Sequence, residues 1–259
     1  MVYAAASGPY GIINLMIYAV LADIHANLEA LAAVLADIDR RGGTDEYLVL
    51  GDMVGYGPDP GSCIKRISEL PARVVAGNHD AAAVRAGDAF NFNPQAAAAV
   101  NWTAARLTAA ELNYLAGLPD ILATAGFTLS HGSPRQPTVE YIFSPVEARP
   151  NFKLLGTPHA LVGHTHVPAV FKQTDDGTVS EVRVSPDTAV VIDGGRFIIN
   201  PGSVGQPRDG DPRAAYAIYD SDTARLQFYR VAYDIAAVQE KMRSYNLPVS
   251  LVSRLEKGL

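Results

Sequence analysis

Five short apolar runs along the chain each end in a polar motif, and this pairing limits the possible folds more than any other feature. The runs are IYAVL, YLVL, RVVA, FTLS and ALV. The motifs that follow are Asp23-Ile24-His25, Gly51-Asp52, Gly77-Asn78-His79-Asp80, His131-Gly132 and Gly163-His164-Thr165-His166. Runs this short and this apolar read as buried strands. Five strands that deliver polar side chains at their C-terminal ends predict one site at one edge of a sheet, where open α/β sheets bind ligands. The side chains are carboxylates, an amide and imidazoles, with no thiolate. That donor set suits a pair of divalent first-row metals held for hydrolysis.

Taken singly, each residue has a plainer reading. An Asp or Asn after glycine ends a strand and opens a turn, and an isolated His is usually a hydrogen-bonded structural residue. Eight polar residues at five strand ends would need eight such explanations at once. His159 fits no motif and is read as structural. In an extended segment residues i and i+2 share a side, so Asp23 and His25 are expected to face one metal. His164 and His166 likewise share a side and reach two adjacent metals.

The segments between the motifs predict helices. Asn27 caps a helix whose apolar face is Leu28, Leu31, Leu35 and Ile38, and Gly42-Gly43 ends it. Residues 62–70 are amphipathic and Pro71 closes them. This alternation of strand and helix predicts βαβ units and a partly parallel sheet. Residues 81–119 read as a helical excursion beside the site, with Asn93-Pro94 opening one helix and Thr108 to Glu111 forming a capping box. Trp102 on this excursion is read as a packing residue. The last third reads as three hairpins, 167–184, 189–200 and 214–231, which suggest a second sheet. A final helix is expected over 235–245, with another turn beyond Pro248.

Whole-chain properties restrict the function classes. The chain has 259 residues, 48% hydrophobic and 19% charged, with a net charge of -6. That balance argues against a strong nucleic-acid surface, which needs a basic face. It leaves room for an anionic substrate, because two divalent cations outweigh the charges of Asp23 and Asp52. The single cysteine, Cys63, excludes an internal disulfide and a thiolate cluster and is read as a small helix residue. Residues 1–15 contain no basic residue, so they lack the charged start of a signal peptide. The apolar stretch that follows is too short to span a bilayer. These residues are read as a non-functional N-terminal extension, followed by one domain over 16–259. The expectation is a cytoplasmic protein without membrane attachment, with oligomeric state open.

The ordered pattern D-x-H, G-D, G-N-H-D, H-G, G-H-T-H resembles that of the calcineurin-like metallophosphoesterases. The stretches GDMVGYGPDP and NPGSVGQPRDGDPRAAY are similar to the small prokaryotic predicted phosphodiesterases of that superfamily. The resemblance implies an α/β fold, a four-layer α/β/β/α sandwich of two mixed sheets flanked by helices. It also implies two divalent metal ions drawn from Mn, Fe, Zn, Ni or Co. Asp23, His25 and His166 would hold the first, Asn78, His131 and His164 the second, with Asp52 bridging. His79 would donate to a phosphoryl or leaving-group oxygen, and Asp80 would hold its imidazole. The implied activity is hydrolysis of a small phosphoester or nucleotide by a metal-bound hydroxide, with a phosphodiester expected. A phosphomonoester or a dinucleoside polyphosphate is the enzymatic alternative, and a binding or scaffold module the non-enzymatic one.

Substrate contacts are sketched more thinly. Arg135, close after His131, and Arg208, in the Gly/Pro-rich loop, each read either as a bidentate phosphate clamp or as a structurally paired arginine. The Gly55-Tyr56-Gly57 turn is expected to border the pocket. There the phosphoprotein-phosphatase branch reads G-D-x-V-D-R-G, and Tyr56 replaces its arginine. Its G-N-H-E is G-N-H-D here, so a protein-phosphatase assignment is weakened.

Overall fold

The runs that precede the motifs form the strands that carry them. The computed structural model describes residues 15–85, 92–186 and 189–259. The first half runs β1 (Ile17–Leu21), α1 (Leu28–Arg40), β2 (Glu46–Val49), α2 (Pro60–Ser68), β3 (Ala72–Val74), α3 (Asn78–Val84), α4 (Pro94–Ala104) and α5 (Ala109–Ala116). Next come β4 (Ile121–Thr124), β5 (Phe127–Ser130), α6 (Pro145–Phe152), β6 (His159–Leu161), β7 (Ala169–Gln173) and β8 (Val179–Val182). The chain closes with β9 (Ala189–Val191), β10 (Arg196–Asn200), β11 (Ala214–Asp220), β12 (Arg225–Val231), α7 (Ile235–Ser244) and α8 (Val249–Arg254). Almost all of the proposed N-terminal extension lies outside the described residues, and Leu15 at its end is exposed.

Two six-stranded sheets result, ordered β3-β2-β1-β11-β12-β9 and β4-β5-β6-β10-β7-β8. Both are mixed. In the first, β1, β2 and β3 are parallel and β1 pairs antiparallel with β11. In the second, β5, β6 and β10 are parallel and β7 returns antiparallel. The period-two alternation of a strand sends its side chains into separate cores. Val20 of β1 packs between the sheets with Leu48, Phe127, Leu161, Phe197 and Ile199. Ala19 and Leu21 of the same strand face α1 and α2, packing with Leu31, Leu35, Ile38 and Ile64. Ile198, between Phe197 and Ile199, turns outward to Phe152 and Ala148 of α6. Each sheet is thus buried on both faces, and the layers run helix, sheet, sheet, helix. This is the expected four-layer α/β/β/α sandwich.

Helix ends follow their sequence signals. The Asn27 side chain accepts from Ala30 N at 3.0 Å, Asn93 caps α4 and Thr108 with Glu111 caps α5. Trp102 packs on Tyr245 and carries Arg106 over its ring, as a packing residue should. The His159 ring accepts from Phe197 N, a structural bond, and Cys63 is buried on α2, which pushes its thiol well up.

Two expectations are corrected. The motif strands do not share one sheet: β1, β2 and β3 lie in the first sheet, and β5 and β6 in the second. The site therefore forms where the C-terminal edges of both sheets meet. The segment 189–200 is not a hairpin either. β9 pairs with β12 in the first sheet, while β10 sits between β6 and β7 in the second. Gly194 and Gly195, both at positive φ, carry the chain from one sheet to the other. The hairpin of β11 and β12 forms as expected but extends the first sheet, next to β1.

Candidate metal centre

Tight turns at the strand ends gather the motif residues. After β1 and β2 the two loops run side by side, with Asp23 N donating to Gly51 O at 3.2 Å and His25 N to Asp52 O at 2.9 Å. Asp23, His25, Asp52, His164 and His166 take φ values of 53°, 49°, 52°, 69° and 61°. This left-handed region is sparsely populated by non-glycine residues and costs about 1–3 kcal/mol per residue, so its clustering at the candidate ligands points to a functional site. It also corrects the geometric expectation. These residues do not alternate along an extended strand, and the turns themselves aim the side chains inward.

Two groups of ligand atoms meet in the centre. In the first, Nε2 of His25 lies 3.1 Å from Nε2 of His166, and that atom lies 3.4 Å from Asp23 Oδ1. In the second, Nε2 of His131 lies 3.0 Å from both His164 Nδ1 and Asn78 Oδ1. Asp52 stands between them: its Oδ2 is 3.5 Å from His25 Nε2 and 3.3 Å from His131 Nε2. Its other oxygen accepts from His79 N at 2.9 Å, which fixes the carboxylate plane. Asp23 is held in the same way by His164 N.

The hydrogen-bond chemistry fits a cation in each group. Nδ1 of His25, His131 and His166 face the carbonyls of Val54, Leu50 and Gln206 at 3.1, 2.8 and 2.5 Å. A carbonyl only accepts, so each Nδ1 carries a proton, and the neutral form of each ring presents its lone pair at Nε2. Lone pairs of His25 and His166 then face each other at 3.1 Å beside carboxylates. Such a set repels itself without a cation, and backbone carbonyls behind the rings are the usual partners of metal-bound histidine.

The same imbalance shows in protonation. Burial pushes Asp23 up to about 7, against the pull of His131. Burial opposes charge on His131 too, but Asp52 and Asp23 overcome it and raise it to about 9. Burial also works against ionised Asp52, yet His131 and His79 hold it well below the usual carboxylate range. A buried set that recruits a proton in this way offers the same place to a metal cation.

Glycine makes the approach of these loops possible. A Cβ on Gly77 would lie 2.0 Å from Asp52 Oδ1 and 2.3 Å from Asp52 N. Gly77→Ala is expected to destabilise the fold by about 1–3 kcal/mol through this overlap, read as a lowered Tm. An unchanged Tm with unchanged metal content would show that the two loops are not held this closely.

A pocket of about 200 Å³ opens over the candidate ligands, lined by Asp52, Asn78, His79, His164 and His166 and, around them, by Tyr56, Phe92, Tyr141 and Arg208. His79 is buried among aromatic rings, with centroids 4.3 Å from Tyr56 and 4.7 Å from Phe92. Burial lowers it to about 4. Gly55 lets it in, since a Cβ there would lie 2.3 Å from His79 Nδ1. Arg208 donates through Nη2 to Gln206 Oε1 at 2.9 Å and to Tyr56 Oη at 3.4 Å, while its buried Nε has no partner among the described residues.

The structure separates other expected site residues from these roles. Asp80 does not hold the His79 imidazole. Its oxygens accept from Val54 N at 3.2 Å and Gly77 N at 3.0 Å, so it caps α3 and ties down the loop after β2. His79 Nδ1 is left without a partner among the described residues. Arg135 is not among the residues lining the pocket, and its guanidinium is taken up by Glu140. Conversely, Tyr141 and Phe92 line the pocket without belonging to any motif, and no spacing signal marks them. Among the described residues no helix is long and apolar enough to cross a membrane.

Comparison with known proteins agrees with this fold. The sequence profile of the calcineurin-like phosphoesterase superfamily domain matches residues 16–224, and the chain belongs to that family. It is 44% identical to the metallophosphoesterase from Sphaerobacter thermophilus, whose crystal structure superposes with a TM-score of 0.86 over 95% of this chain and all of the other. An uncharacterised protein of Methanocaldococcus jannaschii is 37% identical over 93% of this chain and 97% of its own length. A hypothetical protein of Pyrococcus horikoshii shares the fold at a TM-score of 0.77 and 23% identity, over 94% of this chain and 98% of its own. The family makes phosphoester hydrolysis the class of activity and, with the His and Asp clusters, points to divalent-metal binding.

Proposed function

We propose that the chain is a phosphodiesterase with two divalent cations that share Asp52. The observation that carries this reading is the position of Asp52 Oδ2, within 3.5 Å of an imidazole nitrogen in each ligand group. Asp23, His25 and His166 would hold one cation, and Asn78, His131 and His164 the other. When bound, the cations activate water and neutralise charge on the phosphoryl oxygens. Arg208 binds the phosphoryl group through donors that Gln206 and Tyr56 leave free. His79 faces the leaving oxygen and gives it a proton; an anionic phosphoryl group beside the ring favours its charged form. The surrounding rings exclude water and hold His79 in place, the role first assigned to Asp80. The diester reading is supported by two separate sets of rings at the pocket: Tyr56 and Phe92 pack on His79, and Tyr141 packs on His164, so each set can take one substituent of the phosphorus.

The test is an assay of purified protein loaded with manganese, cobalt, zinc or nickel, against paired esters with one leaving group. Bis-p-nitrophenyl phosphate is expected to exceed p-nitrophenyl phosphate in kcat/KM by tenfold or more. The opposite preference would make the enzyme a monoesterase and overturn the diester reading.

A further inference from the structure

Next to the ligands, the segment after Glu140 carries an aromatic pair that neither the fold nor the ligand set requires. Tyr141 lies flat on His164, with ring centroids 3.8 Å apart and planes at 19°. Phe143 continues the stack, its centroid 5.5 Å from that of Tyr141 and its plane within 9°. Both are exposed, Tyr141 at 43% and Phe143 at 59%. Ile142 between them points the other way, buried against Phe152 and Phe171, and anchors the segment. The result is a set of near-parallel rings running from His164 of the proposed centre out to solvent. Two exposed aromatics held parallel on a rigid base form a surface for another flat ring. Tyr141 lies against His164 of the proposed centre, which places this surface beside the reacting group.

Its place relative to the reaction indicates which part of the substrate it meets. His79, which protonates the leaving oxygen in the reading above, makes its ring contacts with Tyr56, Phe92 and His25, whereas Tyr141 makes its own with His164 and Phe143. The Tyr141–Phe143 side is left for the substituent that stays on phosphorus. From this we infer that the substrate is a diester of a nucleoside phosphate whose base stacks on Tyr141 and Phe143 and remains on the retained side. The inference rests on the diester reading above. It adds that specificity comes from base stacking, with Phe143 as the outer platform. Stacking has no polar readout of the base, so discrimination among bases is expected to be weak.

The experiment compares two diesters with the same leaving group: the p-nitrophenyl ester of thymidine 5′-monophosphate and methyl p-nitrophenyl phosphate. For the wild-type protein loaded with manganese, kcat/KM is expected to favour the thymidine ester at least tenfold, mainly through KM. Phe143→Ala should reduce that ratio about tenfold, the effect of losing one stacked base. Phe143→Trp should keep or raise it. Phe143 is exposed, so neither variant is expected to disturb folding, and equal melting temperatures check this. A ratio near one in the wild type, or one unchanged in Phe143→Ala, overturns the platform while leaving the diester reading intact. Hydrolysis of neither ester, with turnover of p-nitrophenyl phosphate, overturns both.

Discussion

Asp52→Asn is expected to release both cations from the protein while leaving the fold intact. The amide keeps the size of the carboxylate and one oxygen to accept from His79 N. Its NH2 group then occupies the place of Oδ2, facing the nitrogens of His25 and His131 at 3.5 and 3.3 Å. It donates to a lone pair that a cation needs, and it removes the only charge common to both groups. Loss of outer partners alone typically costs 10–100-fold in metal affinity, so loss of a shared charged ligand should exceed ~100-fold at each position. Metal analysis after dialysis is expected to show fewer than one ion per chain, with esterase activity lost in parallel. The metal-free variant should melt somewhat below the metal-free parent, because Asp52 is the charge partner of buried His131. Two tightly held ions per chain in Asp52→Asn would overturn the sharing of Asp52.

For His79→Ala the expectation is different: both metals stay and turnover falls. His79 is next to Asn78 in sequence, but its ring sits among Tyr56, His25 and Phe92. Removing it should cost ~10²–10⁴ in kcat on diesters with alkyl leaving groups, which depart only with a proton. The loss should be much smaller for nitrophenolate, which leaves as the anion. The variant should therefore show a steeper dependence of rate on leaving-group pKa. An equal loss across leaving groups with metals retained would make His79 an orienting group. Loss of metal would make it a ligand, which the approach of His25, Asp52 and His79 donor atoms within 4.8 Å allows geometrically. Asp80→Asn offers a contrast. With Asp80 bound to Val54 N and Gly77 N, its effect is expected on stability and not on the leaving-group slope.

Much of this architecture was legible in the chain because strand, glycine and ligand follow one another in fixed order. The apolar runs are buried on both faces, so they stay recognisable without partners, and Asn27, Asn93 and Thr108 cap where capping chemistry puts them. Sheet membership was not legible. Val190 of β9 and Phe197 of β10 both pack between the sheets, so the pattern of either strand fits either sheet. The Gly194-Gly195 pair suits a hairpin turn and equally a crossing, and only tertiary packing decides. Adjacency misled at Asp80 and Arg135. On α3 successive side chains diverge by a third of a turn, which sends Asp80 back to the helix start and away from the His79 ring. Arg135 lies near His131 in sequence, but Glu140 closes the loop and takes the guanidinium. Arg208 reached the pocket through a loop whose course no local signal encodes.

Anomalous diffraction from crystals grown with manganese tests the central claim most directly. Two peaks are predicted, ~3.5–4 Å apart, one among Asp23, His25 and His166 and the other among Asn78, His131 and His164, with Asp52 Oδ2 touching both. A single peak, or two peaks that do not share Asp52, would contradict the account.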